Sequence, residues 1–246
     1  MGSLHETMSI FKRLFSTKND EQPNGQSNFS EGNIFYTHFD SQYHIYKLLV
    51  FDKGFECYHV LGYKPLDSLP SAKNVDSLEV AVYHSPIDKN GFKDAKLLTK
   101  DKISSDDLIG YHEYLRQTQE PNYYIPIANE YYQAGLRLTD EKKHYDAIDS
   151  YSKAVDLMPN FFEAIDNRAF CKMDLGQWAE AIEDFQESLE VNPNSLLAEF
   201  SIGECYLKMD NYQKAKKKKK KAISIDPTHQ APKDFLIKVN ELLGAS

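Results

Sequence analysis

The chain has 246 residues, which suggests about two domains of ordinary size. Its formal net charge of -8 argues against nucleic acid or an anionic membrane as the partner of the whole chain. Three cysteines, Cys57, Cys171 and Cys205, make no metal-ligand spacing and no even disulfide framework, which points to a reducing, cytoplasmic setting.

Residues 1–30 read as a disordered leader and linker. Within it, Ser9 to Phe15 forms a short basic-apolar turn, too short for a secretory core or a membrane span. Residues 31–118 read as a β-rich α+β domain, a small antiparallel sheet plus a helix. Candidate strands are Asn33–Phe39, Tyr43–Phe51, Phe55–Leu61 and Leu78–His84. Asp52-Lys53-Gly54 reads as a tight hairpin turn, and Ser85 to Lys102 as a loop-rich stretch. In Phe55–Leu61, Phe55, Cys57 and His59 share one face while Tyr58 and Val60 share the other, the pattern of a half-buried strand. Ser104 to Asp107 then caps a helix that runs to about Gln117, with acidic groups in its first turn. Glu120 to Pro126 reads as a bridge into the second domain.

Four Tyr-His pairs punctuate this first half: Tyr43-His44, Tyr58-His59, Tyr83-His84 and Tyr111-His112, with His38 nearby. Histidine is the usual metal ligand and general base. Yet no H-x-H, H-E-x-x-H or C-x-x-C spacing occurs, and neither does a G-x-S-x-G turn or a Gly-rich phosphate loop. An aromatic-rich sheet places Tyr and His at half-exposed positions for packing reasons alone. The expectation is no catalytic residue, no metal and no cofactor.

Residues 119–246 carry a 34-residue period. Gly135, Ala169 and Gly203 keep that step, as do Ala147, Ala181 and Ala215, the rings His144, Trp178 and Tyr212, and Pro159, Pro193 and Pro227. Small residues midway along a helix let a second helix approach closely, and each proline falls where it ends a helix. A period of this length indicates stacked helix-turn-helix units that bury apolar surface on one another. Lys216–Lys221 interrupts the pattern. Lys219 falls in the column of Tyr151 and Phe185, but a solvated terminal helix is the preferred reading of the run. Ala231 to Leu243 has the spacing of a capping helix.

The run from Ala164-Ile165-Asp166-Asn167-Arg168-Ala169 through Leu175-Gly176-Gln177-Trp178 to Asn192-Pro193 resembles the tetratricopeptide repeat, and three such repeats cover about half the chain. The resemblance implies an all-α solenoid whose first helices line a concave groove for a peptide or protein. That groove would present Tyr132 and Leu136, then Glu163, Asp166, Asn167 and Phe170, then Leu197, Phe200 and Glu204. One subgroup of the family holds acidic chaperone tails with a clamp of lysine, arginine and asparagine. Here Asn167 matches that clamp, while Tyr132, Leu136, Leu197 and Ser201 stand at its other positions, and none is cationic. The implied function is a non-catalytic adaptor with an apolar or basic protein partner. The alternatives are an enzyme built on the histidines of the first domain, or a bacterial immunity protein that neutralises a toxin. The sequence leaves the oligomeric state open.

Overall fold

The computed structural model describes residues 29–245, so the leader and its basic-apolar turn lie outside the described residues. The chain divides after Ile103 into two compact units.

The first unit is a five-stranded antiparallel sheet. Its strands are β1 (Asn33–Phe39), β2 (Gln42–Asp52), β3 (Cys57–Tyr63), β4 (Val80–Asp88) and β5 (Lys96–Lys100), in the spatial order β4-β3-β2-β1-β5. The first four lie within a few residues of their expected places. β5 falls inside the stretch read as loop. Five residues, with Leu97 and Leu98 between flanking lysines, are too few to show an alternating pattern. Pro86 sits on β4, an edge strand, where its missing N–H breaks no inner ladder.

Residues 89–95 must join β4 to β5 at the opposite edge. The link therefore passes over one face, and Phe92 is its anchor. The fully buried Phe92 ring lies 4.8 Å from Phe35 of β1, 5.0 Å from Tyr46 of β2 and 6.1 Å from Tyr58 of β3. Phe29, Leu48, Val60 and Ala95 complete that core. A smaller cluster of Ile34, Ile45 and Val75 forms with Leu66 and Leu78 of the long β3–β4 connection. The β2–β3 turn is wider than expected. Asp52 Oδ1 accepts from the Gly54 and Phe55 amides, and Glu56 takes a left-handed φ of 49°. Phe55 consequently belongs to the turn and is exposed rather than sharing a strand face with Cys57 and His59.

The second unit holds helices α1 (Ser105–Thr118), α2 (Pro121–Asp140), α3 (His144–Leu157), α4 (Phe162–Asp174), α5 (Trp178–Val191), α6 (Leu196–Lys208), α7 (Tyr212–Ile225) and α8 (Gln230–Ala245). The second helices α3, α5 and α7 each begin at the ring of the repeat and end two residues before its proline. α2 starts earlier than expected, because Pro121 suits the first turn, and it carries Pro126 inside.

Close approach within each pair rests on the small-residue column. A Cβ on Gly135 would stand 2.5 Å from the Tyr151 ring, and one on Gly203 would stand 2.8 Å from Lys219 Cε. A buried ion network ties α4 to α5. Arg168 grips Asp184 with two bonds of 3.0 and 2.9 Å and adds Glu187 at 2.9 Å, while Lys172 reaches Asp184 at 2.7 Å.

The sequence places α1 in the β-rich domain, and the structure places it in the helical unit. Its capping box of Ser104 and Asp107 forms as the sequence suggests. Its apolar stripe of Leu108, Tyr111, His112 and Leu115 needs cover, and α3 supplies it. The Ser105 amide donates to Asp149 at 2.7 Å, and Arg116 reaches the Asp156 carbonyl. α1 thus caps the first repeat as α8 caps the third.

The capping role of α1 has a direct test. A fragment of residues 104–246 should melt cooperatively, whereas residues 119–246 should melt at a clearly lower temperature by circular dichroism; equal melting would remove the capping role. A second test lies in the stripe itself. His112 is fully buried, and neither ring nitrogen has a hydrogen-bond partner among the described residues. Burial, with Arg116 and Lys153, pushes it down from 6.5 to about 4. The unfolded chain then takes up the proton first, so its contribution is intact above pH 6.5 and is lost as pH falls toward 4. The stability gap between wild type and His112→Leu, from urea unfolding, should shift against wild type by roughly 2–3 kcal/mol across that window.

Candidate peptide-binding groove

The first helices α2, α4 and α6 carry the nine expected groove residues. Tyr132 and Asn167 join the first two of these helices. Asn167 Nδ2 donates to Tyr132 Oη at 3.3 Å and to the Glu163 carbonyl at 2.8 Å. The Tyr132 ring lies 4.9 Å from Phe161 and 5.9 Å from Tyr151. Leu136 is half-buried against the same cluster. Glu163 is exposed, Leu197 is 49% exposed and Glu204 is half-buried.

Asp166 departs from the expected exposed charge, since only 6% of it is accessible. Burial raises its carboxyl above the usual range, an effect that Ser188 beside it opposes and Glu163 reinforces. Its Oδ1 has no hydrogen-bond partner. The two phenylalanines each pack on a second ring. Phe170 lies edge-on to Phe185 at 5.2 Å, and Phe200 lies edge-on to Phe235 of α8 at 5.8 Å. Both remain half-buried, each partly a packing residue.

The lysine run is not a uniformly solvated face. Lys219 is fully buried, in the interior column that Tyr151 and Phe185 fill in the earlier repeats. Its ammonium sits 2.9 Å from the Phe200 ring centre and 3.7 Å from that of Phe235, and it donates to the Phe200 carbonyl at 2.7 Å. Burial pulls it down from 10.5 to about 7, against the raising effects of Glu204 and Cys205. The register carried this signal, because column position rather than charge decides which side faces in. Lys218 pairs with Glu199 at 2.9 Å.

Two of the Tyr-His pairs in the sheet do converge. His59 Nδ1 and His84 Nε2 are 2.8 Å apart across β3 and β4, with the rings near parallel. Burial lowers both, His84 to about 4 with His59 adding to the effect, so the two rings form a neutral pair. His44 stacks on Phe39 at 3.7 Å and His38 lies 4.5 Å from Tyr43. Among the described residues no group of three or more His, Cys, Asp or Glu could hold a metal ion. Cys171 and Cys205 are free and buried, and burial lifts Cys205 to about 11, leaving an inert thiol. No helix among the described residues is long and apolar enough to cross a membrane.

The buried lysine makes a measurable demand. Lys219→Met keeps the stem and removes the charge, which should raise stability by about 1–3 kcal/mol near neutral pH. A base held below its free value costs most where it is charged in both states, at and below about pH 7, and the cost fades as pH rises toward 10.5. Urea unfolding should therefore show the advantage of the variant shrinking above pH 7, and a constant advantage would exclude this origin.

Comparison with known proteins agrees with the helical geometry. Residues 161–228 match the family model described as tetratricopeptide repeat. The chain is 28% identical over 116 residues to Hsp70-Hsp90 organizing protein 3 of Arabidopsis thaliana, a match covering 47% of this chain and 21% of that protein. It is 29% identical over 112 residues to small glutamine-rich tetratricopeptide repeat-containing protein 2 of Mycosarcoma maydis, covering 46% and 32% respectively. This chain thus matches only about a fifth to a third of the length of those relatives. A solved first repeat domain of Spaghetti, bound to an HSP90 peptide, is 23% identical with a TM-score of 0.46, covering 48% of this chain and 93% of that one. Residues 161–228 thus carry the tetratricopeptide repeat, within a series of helix pairs that keeps the same spacing on either side.

Proposed function

We propose that the chain is a protein-interaction adaptor whose repeat groove takes an extended peptide of apolar and basic side chains. The observation that carries this reading is the charge of the groove. Of its nine residues, Glu163, Asp166 and Glu204 are acidic, and no lysine or arginine is among them. Relatives bear names that tie them to Hsp70 and Hsp90. The family's clamp for acidic chaperone tails needs cations, and the equivalent places here hold Tyr132, Leu136, Leu197 and Ser201. An acidic tail would meet repulsion without compensation. A basic side chain would meet Glu163 at the rim, and an apolar one would meet exposed Leu197. Rim charge steers and orients, and buried apolar contact supplies most of the affinity. The enzyme alternative has less behind it, because the sheet histidines that meet among the described residues are two, His59 and His84, rather than a larger cluster.

A peptide display library screened on the full chain should enrich lysine, arginine and large apolar residues over acidic ones. With an enriched peptide in titration calorimetry, Leu197→Ala should cost about 1 kcal/mol. Glu163→Lys should weaken binding several-fold at low salt and less at high salt. Enrichment of acidic C-termini would overturn the reading.

A further inference from the structure

The outer faces of α5 and α7 carry opposite charge in the same repeat columns. α5 contains Glu180, Glu183, Asp184, Glu187 and Glu190 and no basic residue. α7 contains Lys214 and Lys216–Lys221 and no acidic one. At the 34-residue step, Glu180 corresponds to Lys214, Glu183 to Lys217 and Glu187 to Lys221. The first two columns are exposed in both repeats.

Part of this charge is used inside the chain. Asp184 and Glu187 hold Arg168, Lys218 holds Glu199, and Lys219 is buried. Glu180, Glu183 and Glu190 on α5, and Lys214, Lys217, Lys220 and Lys221 on α7, are exposed and make no ion pair among the described residues. The exposed charges of each helix therefore repel one another along its outer face, beyond the few that Arg168, Lys172 and Glu199 offset.

We propose that this outer face docks a second copy of the chain, α5 of one protomer lying over α7 of the other. The geometry follows from the repeat. α5 and α7 are equivalent helices of successive repeats and run in the same sense. A two-fold axis parallel to them, midway between, brings each α5 over the partner's α7 at the same height. Glu180, Glu183 and Glu187 then face the lysines of their own columns, and symmetry makes each pairing twice. Other occupants answer less of the surface. A lipid surface would need an exposed apolar stripe, yet Ala222 is buried and Ile223 and Ile225 are half-buried. A single strand of nucleic acid would need exposed rings for stacking, and none stands on this face of α7. An acidic peptide would neutralise α7 and leave α5 unrelieved. Only the second copy satisfies both helices. The face is almost free of apolar side chains, so the association is weak and governed by salt.

Sedimentation of the full chain at about 0.3 mM should show the mean mass rising from 28.3 kDa toward twice that value at about 20 mM salt, and returning at about 300 mM. Glu180→Lys/Glu183→Lys should be monomeric alone, and so should Lys214→Glu/Lys217→Glu. An equimolar mixture of the two should regain the dimer, because each reversed helix then meets its complement. Circular dichroism melts confirm that both variants remain folded. A wild type that stays monomeric at low salt, or a mixture that does, overturns the proposal. So does tight binding of poly-glutamate by a chain that never self-associates, which would assign α7 to an acidic partner.

Discussion

The helical half depends on one contact made three times, a small residue of the first helix against a large one of the second. Gly135 meets Tyr151, Ala169 lies in the core with Phe185, and Gly203 meets Lys219. The separation of the two axes is set there. With Gly135 already against the Tyr151 ring, an added methyl would force the pair apart at about 1–3 kcal/mol, the usual cost of overpacking. Everything outside the contact depends on it. The second helices start and stop at the same phase, and the loops, prolines and entry rings repeat with them.

The third repeat shows how far that contact can be stretched. Lys219 replaces an aromatic ring with a stem of similar length, so the column keeps its volume while acquiring a charge. The charge is tolerated because Phe200, Phe235 and the Phe200 carbonyl surround it with the negative faces and the oxygen an ammonium needs. Two of those groups belong to the groove helix α6 and one to the cap α8. The cap is thus coupled to the groove through a buried ion rather than through apolar area alone. Phe200 is a packing residue here, and it also stands among the positions proposed for the groove.

The sequence made the repeats legible because columns of small residues and of rings recur with volume as their common property, and volume is what close packing selects. Four strands were visible by alternation and turn residues. β5 was hidden by its length, and α1 was misassigned because a helix's apolar stripe does not say which neighbour covers it. The capping box fixed where α1 starts, and α3 decided which domain it joins. The groove was legible as a list of positions but not as an environment. Asp166 looked like a rim charge and lies beneath the surface, beside Ser188 of α5, a neighbour that no local pattern around Asp166 announces.

The same distinction separates the two charged surfaces. Positions that hold a helix pair together are constrained by volume and so repeat from unit to unit. Positions that point away from the pair have no such constraint, and the period then serves as a blank against which a deviation stands out. In the outward columns, Asp146 of the first repeat and Glu180 and Glu183 of the second keep one sign, and Lys214 and Lys217 of the third reverse it. Exposed charges contribute little to the stability of the fold that carries them. The reversal at the exposed positions, from Glu180 to Lys214 and from Glu183 to Lys217, is therefore not accounted for by the packing of the repeats. It is better understood as a constraint imposed from outside the chain. The proposed groove differs in kind, because Asn167, Tyr132 and Phe170 already make contacts within the fold, so substitutions there will disturb packing as well as any proposed ligand.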